Sequence, residues 1–332
     1  MKIDFKKIKN ILVIRLSSLG DILLTTPLLR AIKTQYPNVK IDFLAKQEYS
    51  DLMINNPNIE NLFLLNKDGI INPAKKNSST TLGQYDLIID LQNNIRSRRI
   101  SSKLRTQIVR FKKYSIRKLL LVRTKINLMK DFPSIPERYA ETIDIKLDDK
   151  GVEIISYKET SKEIKNLKKI IGICPGSKHF TKRYPIEYQI NLCKLLVENN
   201  FNVVLFGGKL DKEICQEISE RVQHIINLQN DDDILQTVAD MKMCDVIVCN
   251  DSGLMHVASS FNKKLIAIFG STVKEFGFTP YNCPNAIIVE NENLNCRPCS
   301  HIGRDSCPKF HFRCMKDLKP EIIFNLIRQT NG

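Results

Sequence analysis

The sequence predicts an α/β protein made of two doubly wound domains, and three observations carry that prediction. Short apolar runs rich in β-branched residues alternate with helical stretches along the chain. The runs are apolar nearly throughout, as expected of parallel strands covered on both faces. At 332 residues the chain exceeds what one hydrophobic core usually supports, so two domains of about 150 residues each are expected.

In the first half, residues 11–16 read as a strand and 22–36 as the helix that follows. Ile22, Leu28, Leu29 and Ile32 mark one helical face, and Pro27 falls near the start, where a missing N–H costs least. Residues 40–45, 62–65 and 87–91 read as further strands. The second half repeats the scheme with strands at 170–174, 203–206, 224–228, 246–249 and 265–269. Helical stretches lie between them at 186–198, 212–222, 234–241 and 254–261. The join falls in the polar stretch 157–169. The expected organisation is an N-terminal domain over 1–160, a C-terminal domain over 165–318, and a terminal helical segment, 319–332, able to pack back on the N-terminal domain. Doubly wound sheets carry their ligand loops at the carboxyl ends of the strands, and the cleft between two such domains is the natural active site.

Composition excludes several classes. Hydrophobic content of 42% and charged content of 26% are ordinary for a globular protein. No apolar run approaches bilayer length. The apolar run after the basic N-terminus stops at Arg15 with no small-residue cleavage site behind it, so it reads as a first strand and not as a signal peptide. The chain is therefore expected in the cytoplasm, with its ten cysteines reduced. The net charge of +15 is unevenly placed: the window 91–130 holds 13 Lys and Arg and no Asp or Glu. Such a window reads either as a solvated face or as a surface for an anionic partner, and charge alone does not choose between nucleic acid, a phosphorylated substrate and an acidic membrane. Apolar residues interrupt the charges, as in an ordered segment with one buried face.

Three loops at strand ends carry candidate chemistry. Arg15-Leu16-Ser17-Ser18-Leu19-Gly20-Asp21 leaves the first strand and enters the first helix. Gly20 permits close approach of another molecule, and Asp21 reads either as a helix cap or as a general base for an acceptor hydroxyl. Pro175-Gly176-Ser177-Lys178-His179-Phe180-Thr181-Lys182-Arg183-Tyr184-Pro185 gathers hydroxyls and cations just before a helix, a donor set that suits a pyrophosphate. It has neither the Gly-Lys-Ser/Thr order of a Walker A loop nor Gly-x-Gly-x-x-Gly. The third loop, Cys249-Asn250-Asp251-Ser252-Gly253-Leu254-Met255-His256, offers a helix cap and the N–H groups of Ser252, Gly253 and Leu254 to an anion. His256, one turn inside that helix, reads as a packed histidine or as part of the site.

Taken together, these runs resemble the ADP-heptose:lipopolysaccharide heptosyltransferase family. The opening from Ile11 to Pro27, the Lys182-Arg183-Tyr184-Pro185 run and the Asn250-Asp251-Ser252-Gly253-Leu254-Met255-His256-Val257-Ala258 run are similar to its motifs in order. Asp90-Leu91-Gln92-Asn93-Asn94-Ile95-Arg96-Ser97 resembles its acceptor-side segment. The resemblance implies the GT-B fold, two Rossmann-like domains facing a central cleft, and inverting transfer without a required metal or other cofactor. It implies that Asp21 is the catalytic base, with Ser17, Ser18, Gly20 and Arg96 on the acceptor side. Lys182 would neutralise the donor diphosphate, with Ser177, Thr181, Asp251, Ser252, Gly253, Leu254 and His256 around the nucleotide sugar, ADP-heptose. The implied partners are that donor, an anionic lipopolysaccharide-core acceptor and the inner face of the inner membrane, bound peripherally, with no nucleic acid. In this chain Lys209 stands after Phe206-Gly207-Gly208, where some members place an acid for the donor ribose, and Asp211 is the nearest substitute.

The alternative to an enzyme is a non-catalytic binder of anionic lipid or nucleic acid on the same scaffold. Few aromatics interleave with the cations, so a base-stacking platform is poorly supported. The late cluster Cys296, Cys299, Cys307 and Cys314, with His301 and His311 nearby, leaves three readings open: reduced thiols, a structural metal or a disulfide. None of them gives it a catalytic role.

Overall fold

The computed structural model describes residues 3–74 and 82–329, which divide into two units, Met1–Lys113 with Pro133–Ile155 and Tyr114–Phe132 with Ser156–Gly332. In the first unit lie β1 (Asn10–Ile14), β2 (Lys40–Lys46), β3 (Asn61–Leu65), β4 (Ile71–Pro73), β5 (Leu87–Asp90) and β6 (Gln107–Arg110), joined in the order β4-β3-β2-β1-β5-β6. Neighbours run parallel except β4, which pairs antiparallel with β3 at the edge. The apolar residues of β1 are fully buried, as a central strand covered on both faces requires.

The strand order reverses at β1: β2 follows on one side, and β5 takes the other. The loops after β1 and β5 therefore diverge at the carboxyl edge of the sheet, where doubly wound folds place ligands. The helix expected over 22–36 is two helices, α1 (Leu19–Leu23) and α2 (Thr26–Gln35). Pro27 sits in the first turn of α2, where it has no intrahelical N–H to lose, and α1 begins three residues earlier than expected because Ser18 starts it. The first unit also holds α3 (Ile95–Ser102) and α5 (Ile135–Glu141).

The second unit repeats the design with β7 (Ile170–Cys174), β8 (Asn202–Leu205), β9 (Ile225–Asn227), β10 (Val246–Asn250), β11 (Lys264–Phe269) and β12 (Ala286–Glu290), all parallel, in the order β12-β11-β10-β7-β8-β9. The reversal lies between β7 and β10. Around the sheet run α4 (Ser115–Thr124), α6 (Ile186–Glu198), α7 (Lys212–Arg221), α8 (Ile234–Met241), α9 (Gly253–Ser259), α10 (Arg313–Lys316) and α11 (Pro320–Arg328). Ile323, Phe324 and Ile327 of α11 join Leu192 and Leu196 of α6 in one buried cluster. The terminal helix thus packs within the second unit. A second correction concerns residues 114–132, expected in the first domain, which segregate with the second unit.

One cation fastens 133–155 to the first sheet. Arg30 of α2 reaches Asp148 through Nε at 2.7 Å and Nη2 at 2.6 Å, Glu153 Oε2 through Nη1 at 2.9 Å, and the Gly151 carbonyl at 2.7 Å. The Arg30 hydrogen bonds hold the Asp148 carboxyl below its ordinary range. Arg30→Ala strands two partly buried carboxylates and is expected to cost about 2 kcal/mol of stability in urea denaturation near neutral pH. That cost should shrink as pH falls through the folded pKa of Asp148, where protonation removes the same ion pair from the wild type.

Candidate active site

In the first unit the β1 loop is fixed by charge and by an amide. Arg15 leaves β1 buried, donates through Nη1 to the Leu91 carbonyl at 2.7 Å and pairs through Nη2 with Asp21 Oδ1 at 2.5 Å. Its guanidinium lies 5.8 Å from the centroid of the Tyr139 ring. The second carboxylate oxygen of Asp21 accepts from Ser18, from Oγ at 2.7 Å and from the backbone N at 3.2 Å. Ser18 is the residue that caps α1, and Asp21 stands at the third helical position reaching back to it. The cap reading of Asp21 is corrected to that extent: it supports the cap and is not the cap itself.

Burial alone would raise the Asp21 carboxyl, but Arg15 and the two Ser18 donors outweigh it and hold the group below the usual carboxylate range. Asp21 is therefore ionised at neutral pH, partly exposed and fixed in orientation. The backbone N–H groups of Leu16 and Ser17 donate to Gln92 Oε1 at 3.0 and 3.2 Å, which ties the β1 loop to the segment after β5. Asp90, fully buried at the end of β5, accepts from the Asn93 N–H at 2.7 Å and Ser97 Oγ at 2.9 Å and so shapes the entry to α3. Gly20 is buried in α1, and Arg96 is exposed in the first turn of α3.

In the second unit the loops after β7 and β10 meet. Asn250, the buried last residue of β10, donates through Nδ2 to the carbonyls of Pro175 at 2.8 Å and Gly176 at 3.2 Å, and its Oδ1 accepts from the Tyr184 N–H at 3.0 Å. The amide thus holds both ends of the β7 loop. Between them, Lys182 Nζ pairs with Asp251 Oδ2 at 2.7 Å, and Thr272 Oγ1 donates to the same oxygen at 2.5 Å. Ser177 Oγ lies 3.4 Å from the Asp251 carbonyl, and Thr181 Oγ1 lies 2.9 Å from Ser271 Oγ. Gly270 is required here, because a Cβ would stand 2.7 Å from the Thr181 carbonyl oxygen.

The structure therefore brings Ser177, Thr181, Lys182 and Asp251 together. Ser252 stands at the N-cap position of α9 without a side-chain capping bond, and the first residues, Gly253 and Leu254, present N–H groups without intrahelical acceptors. His256 is buried one turn further in. Asp211 is turned into its own loop, where Oδ2 accepts from the Gly208 N–H at 3.1 Å, and its carboxylate fills the space beside Gly176. Burial raises its pKa.

Sequence reasoning placed Arg15, Gln92 and Asn250 in the candidate loops without seeing their supporting role, and it missed Tyr139 and Arg297. Arg297 is buried and donates to the carbonyls of Gly270 at 2.5 Å and Thr272 at 2.8 Å while pairing with Glu290 at 2.7 Å. The cysteine segment thus braces the loop that carries Thr272. All ten cysteines are free thiols, which leaves out the disulfide reading. Cys296, Cys299, Cys307, Cys314 and His311 line one small enclosed cavity, yet among the described residues no three such side chains are arranged to hold a metal ion.

The profile of glycosyltransferase family 9 (heptosyltransferase) matches residues 79–309. The chain belongs to glycosyltransferase family 9. Lipooligosaccharide heptosyltransferase 2 of Haemophilus influenzae is 28% identical to it over 96% of the chain and 99% of that protein. The protein of the same name from Haemophilus ducreyi is 31% identical over 84% of the chain and 88% of that protein. Among solved structures, ADP-heptose lps heptosyltransferase II of E. coli shares the fold with a TM-score of 0.68 and 22% identity, covering 97% of the chain and all of that structure. This family 9 glycosyltransferase thus has the two Rossmann-like halves of the GT-B class that the sequence predicts.

The ionic clamp on Asp21 has a direct readout. Arg15→Met removes the strongest influence lowering the Asp21 pKa and leaves burial opposed only by Ser18. The pKa of Asp21 is expected to rise, as measured by carbon-13 NMR titration of its carboxyl. An unmoved or lower value contradicts the assignment of Arg15 as the clamp.

Proposed function

We propose that this family 9 enzyme transfers a heptose from ADP-heptose to the inner core of lipopolysaccharide, a Kdo- or heptose-bearing lipid A, with inversion and with Asp21 as general base. The observation that carries the reading is the ionised carboxylate of Asp21, held at the carboxyl edge of β1 by Arg15 and Ser18 with its side chain still partly exposed. The names of the matched relatives support the sugar and the acceptor class.

In this mechanism the acceptor hydroxyl gives its proton to Asp21 as its oxygen attacks the anomeric carbon. The bond from that carbon to the diphosphate oxygen breaks on the opposite face, and ADP leaves with the electron pair. A carboxylate held below its usual pKa is a weak base, so proton transfer goes with bond formation and does not precede it. The second unit holds the donor. Lys182, which pairs with Asp251, shares its charge with the diphosphate, and Ser177, Thr181 and the N–H groups of Ser252, Gly253 and Leu254 supply hydrogen bonds to it. His256 borders the transferred sugar, and Ser17, Gly20 and Arg96 flank the acceptor. No metal or other cofactor takes part. The acceptor is lipid-linked and anionic, so the enzyme works in the cytoplasm as a peripheral protein on the inner membrane, drawn there by the basic window 91–130.

The test is ADP release that requires both ADP-heptose and a Kdo–lipid A acceptor. Asp21→Ala should lower kcat by about 10²–10⁴-fold and leave donor binding unchanged, whereas Lys182→Ala should weaken ADP binding by about tenfold or more. Turnover of Asp21→Ala at the wild-type rate overturns the base assignment.

A further inference from the structure

The segment 114–132 presents a surface that the transfer chemistry does not use. Its inward residues pack well: Leu121 and Met129 are buried, Lys125 Nζ donates to the carbonyls of Pro298 at 2.6 Å and Val122 at 2.7 Å, and Asn127 Nδ2 donates to Glu275 Oε1 at 3.0 Å. The segment is therefore mounted firmly on the second unit. Yet four large aliphatic side chains face solvent, Ile116 at 75% exposure, Leu119 at 50%, Ile126 at 57% and Leu128 at 51%. Ile116, Leu119 and Arg123 share one stripe of α4, with Leu121 on the opposite face. Exposed large aliphatics gathered in so short a stretch of chain are costly in water and point to an interaction surface.

Charge identifies the partner. Arg117, Arg123 and Lys130 stand exposed among these aliphatics, and no carboxylate occurs in the segment before Asp131. A basic helix with protruding aliphatics is the composition that enters the headgroup layer of an anionic bilayer. Nucleic acid fits less well, because the aromatics of the segment are occupied. Tyr114 and Phe132 meet edge to face at 4.8 Å, and Arg117 lies over both rings, so neither offers a free face to a base.

We propose that Ile116, Leu119, Ile126 and Leu128, ringed by Arg117, Arg123 and Lys130, form the membrane-docking element of this enzyme, inserting into an anionic bilayer. The inference deepens the peripheral-membrane part of the proposed function and rests on it, and it assigns the contact to one element of the second unit. Transfer chemistry takes no part in docking, so the two can fail separately.

The test is co-sedimentation of the full-length protein, without substrates, with vesicles of phosphatidylcholine alone or with phosphatidylglycerol. Wild type is expected to bind the anionic vesicles, and less as salt rises. Ile116→Ser with Leu119→Ser should lower partitioning about tenfold, and Arg123→Glu with Lys130→Glu by about tenfold or more. Ile116→Trp should raise it, a gain that a folding defect does not mimic. Turnover with an acceptor stripped of its acyl chains should be unchanged in the serine variant. Loss of turnover with every acceptor would sink the transferase reading and leave the vesicle result standing. Wild-type partitioning by the serine variant overturns the proposal, as does an RNA oligonucleotide that binds more tightly and strips the protein from vesicles.

Discussion

The arrangement of the loops after β7 and β10 depends on one buried amide. Asn250 ends β10, next to β7 in the sheet, and its side chain meets the carbonyls of Pro175 and Gly176 and the N–H of Tyr184. Each of those backbone groups would be costly to leave unmet in the interior, so the amide has little freedom and the loop has little choice of path. Ser177, Thr181 and Lys182 lie between the two anchored ends. Asp251 is the residue after the anchor, and so its pairing with Lys182 follows from the same constraint.

The first unit solves its version of the problem in a related way. Where β1 and β5 part, Gln92 accepts from two successive N–H groups of the β1 loop, much as Asn250 grips the β7 loop. An ion pair is then added to the amide: Arg15 draws Asp21 toward the sheet and keeps it ionised despite burial. A buried charge with two kinds of partner is held more rigidly than a solvent-exposed one, and the orientation of a base matters as much as its pKa. In both halves the apolar strands only create the edge, and amides and ions place the chemistry there.

Much of this was legible from the residues. The strands β1, β7, β10 and β11, apolar nearly throughout, announced parallel sheets, and the motif residues Asp21, Lys182 and Asp251 lie at the strand ends where a doubly wound fold puts its ligand loops. The strands that escaped notice are short or at sheet edges. β6, Gln107–Arg110, is half-exposed and sits inside the basic window, and β4 pairs on one side only. The supporting residues were illegible for a different reason. Asn250, Gln92 and Arg297 act through contacts with residues 25 to 76 positions away, and no local pattern announces such a contact. The same holds for residues 114–132, whose attachment to the second unit rests on Lys125 and the distant carbonyl of Pro298.

That Asn250 sets the proposed donor site through Lys182 is tested most directly by a double-mutant cycle on ADP binding. Titration calorimetry would compare wild type, Asn250→Ala, Lys182→Ala and the doubly substituted protein. If the amide acts by placing the lysine, each single change weakens ADP binding and the double change costs little more than the worse of the two, a coupling above about 0.5 kcal/mol. Additive losses, or wild-type affinity in Asn250→Ala, would contradict it.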